Sequence, residues 1–275
     1  MTFSLAFSPC PNDTFIFDAL VNKKIDTNGF NFNVVLEDVQ TLNQQALQGM
    51  HQFSKISYGV LPLITNHYKL LTSGGALGKG VGPLLISKNN TSINSNTLVA
   101  IPGENTTAHL LFSLAYPNHQ QKIFMPFHEI ENWLLNNTHH AGVIIHENRF
   151  TYQQKGLQLI TDLGAEWENK LHIPIPLGGI VVHQSIDKKI AMQVNQLIKN
   201  SIDFAWKHYP NLSSFVQQHA QEMSINVMKQ HIDLYVNEFS KDLNVDGKDA
   251  VLKLLEVYAL QNNITTTNTI DLFVD

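Results

Sequence analysis

Short apolar runs alternate with amphipathic stretches over the first two thirds of the chain. FSLAFS at 3–8 stops at Pro9, and Pro11-Asn12-Asp13-Thr14 then supplies helix-start residues ahead of FIFDALVN. The pattern predicts strand, turn, helix. NFNVVLEDV (31–39) reads as the next strand, Thr41 to Gly49 as a short helix, FSKISYGV (53–60) as a strand end and HYKLLTSGGALG (67–78) as a strand backed by glycines. The grammar repeats in NTLVAIPG (96–103), a helix from Asn105 or Thr106 through Tyr116, KIFMPF (122–127), a helix over HEIENWLLNN (128–137) and the apolar run within HHAGVIIHENRF (139–150). This alternation predicts a βαβ architecture with a largely parallel sheet. From Asp187 the period becomes helical, over about 187–208, 224–242 and 247–262, so the tail reads as all helix.

GPLLISKN (82–89) and GGIVVHQS (178–185) share a glycine, an apolar run and a polar exit. If both are paired strands joining two lobes, residues 88–180 form an inserted α/β lobe, and 1–87 with 181–275 form the other. The resulting molecule is a two-lobed clamp with a double crossover. One continuous doubly wound domain without a cleft is the competing arrangement.

Composition narrows the function classes. The 275 residues are 43% hydrophobic and 15% charged, with 18 Lys+Arg against 23 Asp+Glu and a net charge of -5. With no basic run, affinity for nucleic acid or an anionic membrane is not expected. No apolar run approaches the roughly 18 residues of a membrane span, and the opening MTFSLAFSPCPND lacks a secretory pattern, so a cytoplasmic location is expected. The single cysteine, Cys10, excludes an internal disulfide and a multi-thiolate metal cage. The 13 histidines lack HxH or HExxH spacing and read mostly as surface or capping residues.

Ligands of open α/β sheets sit beyond the carboxyl ends of the strands. Gly103-Glu104-Asn105-Thr106-Thr107-Ala108 is a glycine turn opening a helix, which presents free N–H groups to a carboxylate or phosphate; an ordinary N-cap is the alternative. Lys55 and Ser57 lie two apart on a strand and so share a face, suited to a carboxylate or polyol oxygen or to a solvated strand end. GGALGKGVG (74–82) lacks the GK[ST] ending of a phosphate-binding loop and reads as crossover geometry. His146 is the first polar residue after AGVII (141–145). It is a candidate general base with an ordinary pKa near 6.5, or a hydrogen-bonded structural residue. Glu147, adjacent on an extended strand, is expected to point to the opposite face. Cys10 has no visible activating base and reads as a small packed hydrophobe.

SPCPNDTFIFDAL (8–20), VLEDVQTLNQQAL (35–47), SKISYGV (54–60), SGGALGKGVGPLLISK (73–88), IPGENTTAHLLF (101–112) and AGVIIHENRFTY (141–152) together resemble the 1,4-dihydroxy-6-naphthoate synthases of the futalosine route to menaquinone. The resemblance runs from the first strand to about Gly179. It implies a type II periplasmic-binding-protein-like fold, in agreement with the clamp. It implies action on a small molecule, cyclic dehypoxanthine futalosine, with carbon–carbon cleavage and without metal or organic cofactor. It also implies that His146 is the proton acceptor, that Lys55, Ile56 and Ser57 contact substrate from one lobe, and that Thr107 and Ala108 do so from the other. The competing class is a non-catalytic solute-binding protein for a small carboxylate. An intracellular ligand sensor would need an output domain, for which no segment is left over.

Overall fold

A computed structural model describes residues 1–89, 91–220, 224–264 and 271–275. Parts of the expected inserted lobe and tail, at 90, 221–223 and 265–270, lie outside the described residues. In chain order the first part is β1 (Thr2–Phe7), α1 (Pro11–Val21), β2 (Asn31–Leu36), α2 (Val39–Leu47), β3 (Phe53–Ser57), α3 (Leu61–Ile64), β4 (Tyr68–Leu70) and β5 (Ala76–Gly78). Then follow β6 (Leu84–Ser87), β7 (Val99–Ile101), α4 (Thr107–Ala115), β8 (Lys122–Phe124), α5 (Phe127–Asn136), β9 (Ala141–Ile144), α6 (Asn148–Thr151), β10 (Gln158–Asp162), α7 (Leu163–Leu171) and β11 (Ile175–His183). Helices α8 (Lys188–His208), α9 (Ser214–His219), α10 (Ile225–Tyr235), α11 (Glu238–Lys241) and α12 (Asn244–Asn262) complete it.

Local chemistry sets the helix starts. Pro11 opens α1, where a missing N–H costs nothing. The Asp38 carboxylate accepts from the amides of Gln40 (2.9 Å) and Thr41 (3.2 Å), so α2 begins two residues before the expected Thr41. Asp162 caps α7 and Asp187 caps α8 in the same way.

The strands form two sheets. One has the order β2-β1-β3-β11-β4, with β5 also paired to β11; the other is β10-β6-β9-β7-β8. The expected parallel pairing holds for β1 with β2 and β3, and for β7 with β8 and β9. Each sheet is nonetheless mixed, because β11 runs antiparallel to β3, β4 and β5, and β6 runs antiparallel to β9 and β10. The two segments that resemble each other do not pair, since β6 lies inside the second sheet and β11 inside the first. The strands that join at the crossing are β5 and the start of β11, in register Ile175↔Gly78 and Gly178↔Ala76. By sheet membership the chain leaves the first sheet after Gly78 and returns to it at Ile175.

The tail departs from an all-helical reading in two places. The helix expected over 224–242 breaks at Val236-Asn237, where Asn237 Nδ2 donates to Leu77 O of β5 (2.9 Å) and the side-chain oxygen of the same residue caps α11. At the end of the chain, Leu70 exchanges backbone hydrogen bonds with Leu272 and Val274, adding an edge bridge to the first sheet. Helix α8 packs on α1, with Ser201 Oγ donating to Ile16 O (2.6 Å) and accepting from the Leu20 amide (3.1 Å). Helix α10 packs against α1 and β5, which carries its buried face to the meeting point of the two sheets. Among the described residues, no helix is long and apolar enough to cross a membrane.

Candidate active site

The carboxyl ends of β1, β3 and β9, the start of α4 and one face of α10 converge on a pocket with about 670 Å³ of empty space, counted out to its mouth. The six residues singled out from the sequence, Lys55, Ile56, Ser57, Thr107, Ala108 and His146, all line it.

On the first-sheet side the polar groups are tied to one another. Lys55 and Asp13 form a buried ion pair, Nζ to Oδ1 at 2.8 Å, and Lys55 also donates to Gly74 O (3.0 Å). The other Asp13 oxygen accepts from Ser8 Oγ (2.7 Å). Lys55 therefore does not present an uncompensated charge, because Asp13 in the first turn of α1 already neutralises it. Ser57 accepts from Asn43 Nδ2 (3.0 Å), which leaves its own hydroxyl proton to donate into the pocket. Ile56, between the two, packs into the core.

On the α4 side, Thr106 is the N-cap, accepting from the His109 amide (3.2 Å). The Thr107 hydroxyl is fully used: it donates to Leu177 O (2.7 Å) and accepts from the Gly59 amide (3.1 Å). Gly59 is required there, since a Cβ would stand 2.6 Å from the carbonyl carbon of Thr106. What α4 offers a ligand is its backbone, because the Thr107 and Ala108 N–H groups have no intrahelical acceptor and α4 has no acidic residue in its first turn.

His146 stands past the end of β9 with φ 57°, and Glu147 begins the turn into α6. The alternation of an extended strand has ended by then, so the expectation that Glu147 points away is corrected. Ligand atoms of Cys10, His146 and Glu147 lie within 4.8 Å of one another. His146 packs edge-on to Phe127 (centroids 4.9 Å), and its Nε2 is buried without a hydrogen-bond partner among the described residues. Burial pulls its pKa down to about 4, partly offset by Asp13, so the ordinary value near 6.5 does not apply. The ring is neutral at pH 7 and keeps a lone pair. Cys10 is the opposite case: burial pushes its thiol well up, and a protonated thiol is a poor nucleophile and a poor metal ligand. The trio is thus not a ready metal site, although it is the one such cluster among the described residues.

Helix α10 supplies two pocket residues that the sequence reading missed, His231 and Tyr235. They share a buried face with Met228 and Ile232. The available signal was a histidine at an apolar position of an amphipathic helix. His231 Nε2 lies 2.9 Å from Asn12 Oδ1, its Nδ1 lies 3.7 Å from Glu147 Oε2, and its ring stacks on His146 (centroids 6.1 Å, 13° between planes).

Two mixed sheets joined by crossing strands, with a pocket where they meet, define a periplasmic-binding-protein-like α/β clamp. A protein of Archaeoglobus fulgidus shares this structure at TM-score 0.90 and 27% identity, over 96% of this chain and 98% of that one. A Candida albicans protein, described as having the generic periplasmic binding protein fold, matches at TM-score 0.72 and 9% identity, over 99% and 96%. Within that class the assignment is narrower: residues 3–260 match the family described as menaquinone biosynthesis, and the chain belongs to it. Curated relatives from Streptomyces coelicolor (40% identical, 92% of each chain) and Thermus thermophilus (39%, 91% of each) are both named 1,4-dihydroxy-6-naphtoate synthase.

Proposed function

We propose that this chain is a 1,4-dihydroxy-6-naphthoate synthase, a lyase that converts cyclic dehypoxanthine futalosine by proton abstraction and carbon–carbon cleavage. The observation that carries the reading is the His146 ring, whose Nε2 is buried without a hydrogen-bond partner among the described residues, at a pocket that Lys55, Ser57, Thr107 and Ala108 also line. The substrate carboxylate is held by the α4 amides and a hydroxyl by Ser57, opposite one another. His146 then takes the proton. A neutral imidazole needs no prior deprotonation at pH 7. On this reading the lobes follow the two sheets, with the pocket at their junction, and a biosynthetic role of this kind supports a cytoplasmic location.

Incubating the purified protein with cyclic dehypoxanthine futalosine should release a product with naphthoate absorbance. His146→Ala should lower kcat by about 10²–10⁴-fold while affinity stays within a few-fold. Because the folded imidazole titrates near 4, the ascending limb of kcat/KM should fall near pH 4, not near 6.5. Tight binding without turnover by the wild-type protein would instead make it a solute-binding protein for a small carboxylate.

A further inference from the structure

We propose that Asn43 is a positioning residue for the ligand, directing the Ser57 hydroxyl proton into the pocket and, together with Gln40, holding the start of α4 in place across it. The inference deepens the proposed reading and rests on it for the ligand, whereas the clasp between α2 and the approach to α4 stands on geometry.

Two partners that can each play only one role fix the orientation of the Asn43 amide. The Ser57 backbone N–H can only donate, and it meets Asn43 Oδ1 at 2.8 Å. The Asn105 carbonyl can only accept, and it meets Asn43 Nδ2 at 3.1 Å. The remaining N–H of Nδ2 is directed at Ser57 Oγ, 3.0 Å away. Ser57 Oγ is therefore an acceptor toward Asn43, and its own proton is left for another oxygen. Among the described residues no group takes that proton, and Ser57 lines the pocket. Asn43 is fully buried, so an amide turned the wrong way would leave the Ser57 N–H and the Asn105 carbonyl facing groups they cannot bond.

Helix α2 grips the approach to α4 at the same point. Gln40 and Asn43 lie three apart on α2 and so share a face. Gln40 Oε1 accepts from the Asn105 amide at 3.4 Å while Asn43 donates to the Asn105 carbonyl, which brackets that residue from both ends. Gly103 makes the room: at φ 150° and without a side chain it admits Gln40, whose Oε1 would stand 2.3 Å from a Cβ there. Helix α2 packs on β3 of the first sheet and Asn105 follows β7 of the second, so the clasp crosses between the sheets. One side chain thus ties the Ser57 hydroxyl to the α4 amides that face it, and fixes the spacing at which a ligand meets both.

Asn43→Asp keeps the shape and the acceptor for the Ser57 amide but loses both donors. The new carboxylate draws the Ser57 proton out of the pocket and repels the Asn105 carbonyl. With cyclic dehypoxanthine futalosine, KM should rise about tenfold or more while kcat stays within a few-fold, because His146 is untouched. In a Ser57→Ala background, which raises KM by itself, the same change should add no more than a few-fold. Equal multiplication of KM in both backgrounds, or an unchanged KM in folded Asn43→Asp, would overturn the assignment. Asn43→Ala carries the same KM test without placing a charge in the interior. In the substrate-free protein, Gln40→Ala should speed hydrogen exchange at the Asn105 amide by about tenfold, with the amides of β1 unchanged. Unchanged exchange at Asn105 would remove the clasp. That measurement needs no substrate, so an inactive wild-type protein would defeat the proposed reaction while the exchange result still decides the clasp.

Discussion

Helices α1 and α4 both open onto the pocket directly after a strand, and they treat their N-termini in opposite ways. Helix α1 carries its own anion: Asp13 sits in the first turn, ion-paired to Lys55 and bound by Ser8. Helix α4 has no acidic residue in its first turn, and the Thr106 cap satisfies the His109 amide, leaving the N–H groups of the pocket-lining residues Thr107 and Ala108 without an intrahelical acceptor. Two helix starts of similar placement thus divide the work. The first is internally neutralised and rigid, and the second is kept for a ligand.

The most severe way to break this contrast is Lys55→Met. It leaves Asp13 charged in a site where its side chain is 2% exposed, and should cost roughly 3–5 kcal/mol in denaturant unfolding. Adding Asp13→Asn should recover most of that loss, since the pair is then removed as a unit; no recovery would mean that Lys55 matters through packing. Ala108→Leu acts on the other helix start by projecting a larger side chain into the cavity. An overpacking cost of about 1–3 kcal/mol should appear as a KM raised roughly 5- to 150-fold with a smaller change in kcat. Unchanged KM would move the ligand away from α4.

Thr107→Val is a finer probe. It keeps shape but leaves Leu177 O and the Gly59 amide unpaired, so stability should fall by about 1–2 kcal/mol while KM stays within a few-fold. A steep rise in KM would show that the hydroxyl, rather than the amides, meets the ligand. The smallest effect is expected from Cys10→Ser at the N-cap of α1, which should retain activity within a few-fold because burial keeps the thiol protonated. Loss of turnover in folded protein would promote a thiol mechanism.

Acid should also separate the folded from the unfolded chain. His146 titrates near 4 when folded and near 6.5 when unfolded, so between these values the unfolded chain binds the extra proton. Its contribution to stability is present above pH 6.5 and is lost as pH falls toward 4. His146→Ala should flatten that part of the profile in denaturant titrations.

The sequence by itself determined what short-range physics controls. Alternating apolar runs marked β1, β7 and β9, Pro11 marked the start of α1, and the hydroxyl pair after Gly103 marked the start of α4, because each depends on neighbours within a few residues. It also marked His146, since a polar residue ending a fully apolar strand is a local signal. Tertiary structure alone decided the rest. Strand direction was invisible because β11 joins a sheet begun more than 100 residues earlier, and β5 was merged with β4 for want of its partner. Asp13 neutralises Lys55 across 42 positions of sequence, and His231 arrives from the tail against Asn12, 219 positions away. The positive φ of His146 brought Glu147 back to the same side, and burial lowered the imidazole pKa. Periodicity records which face of an element is buried; Coulomb energies and desolvation depend on which residues meet in space, and only the fold sets that.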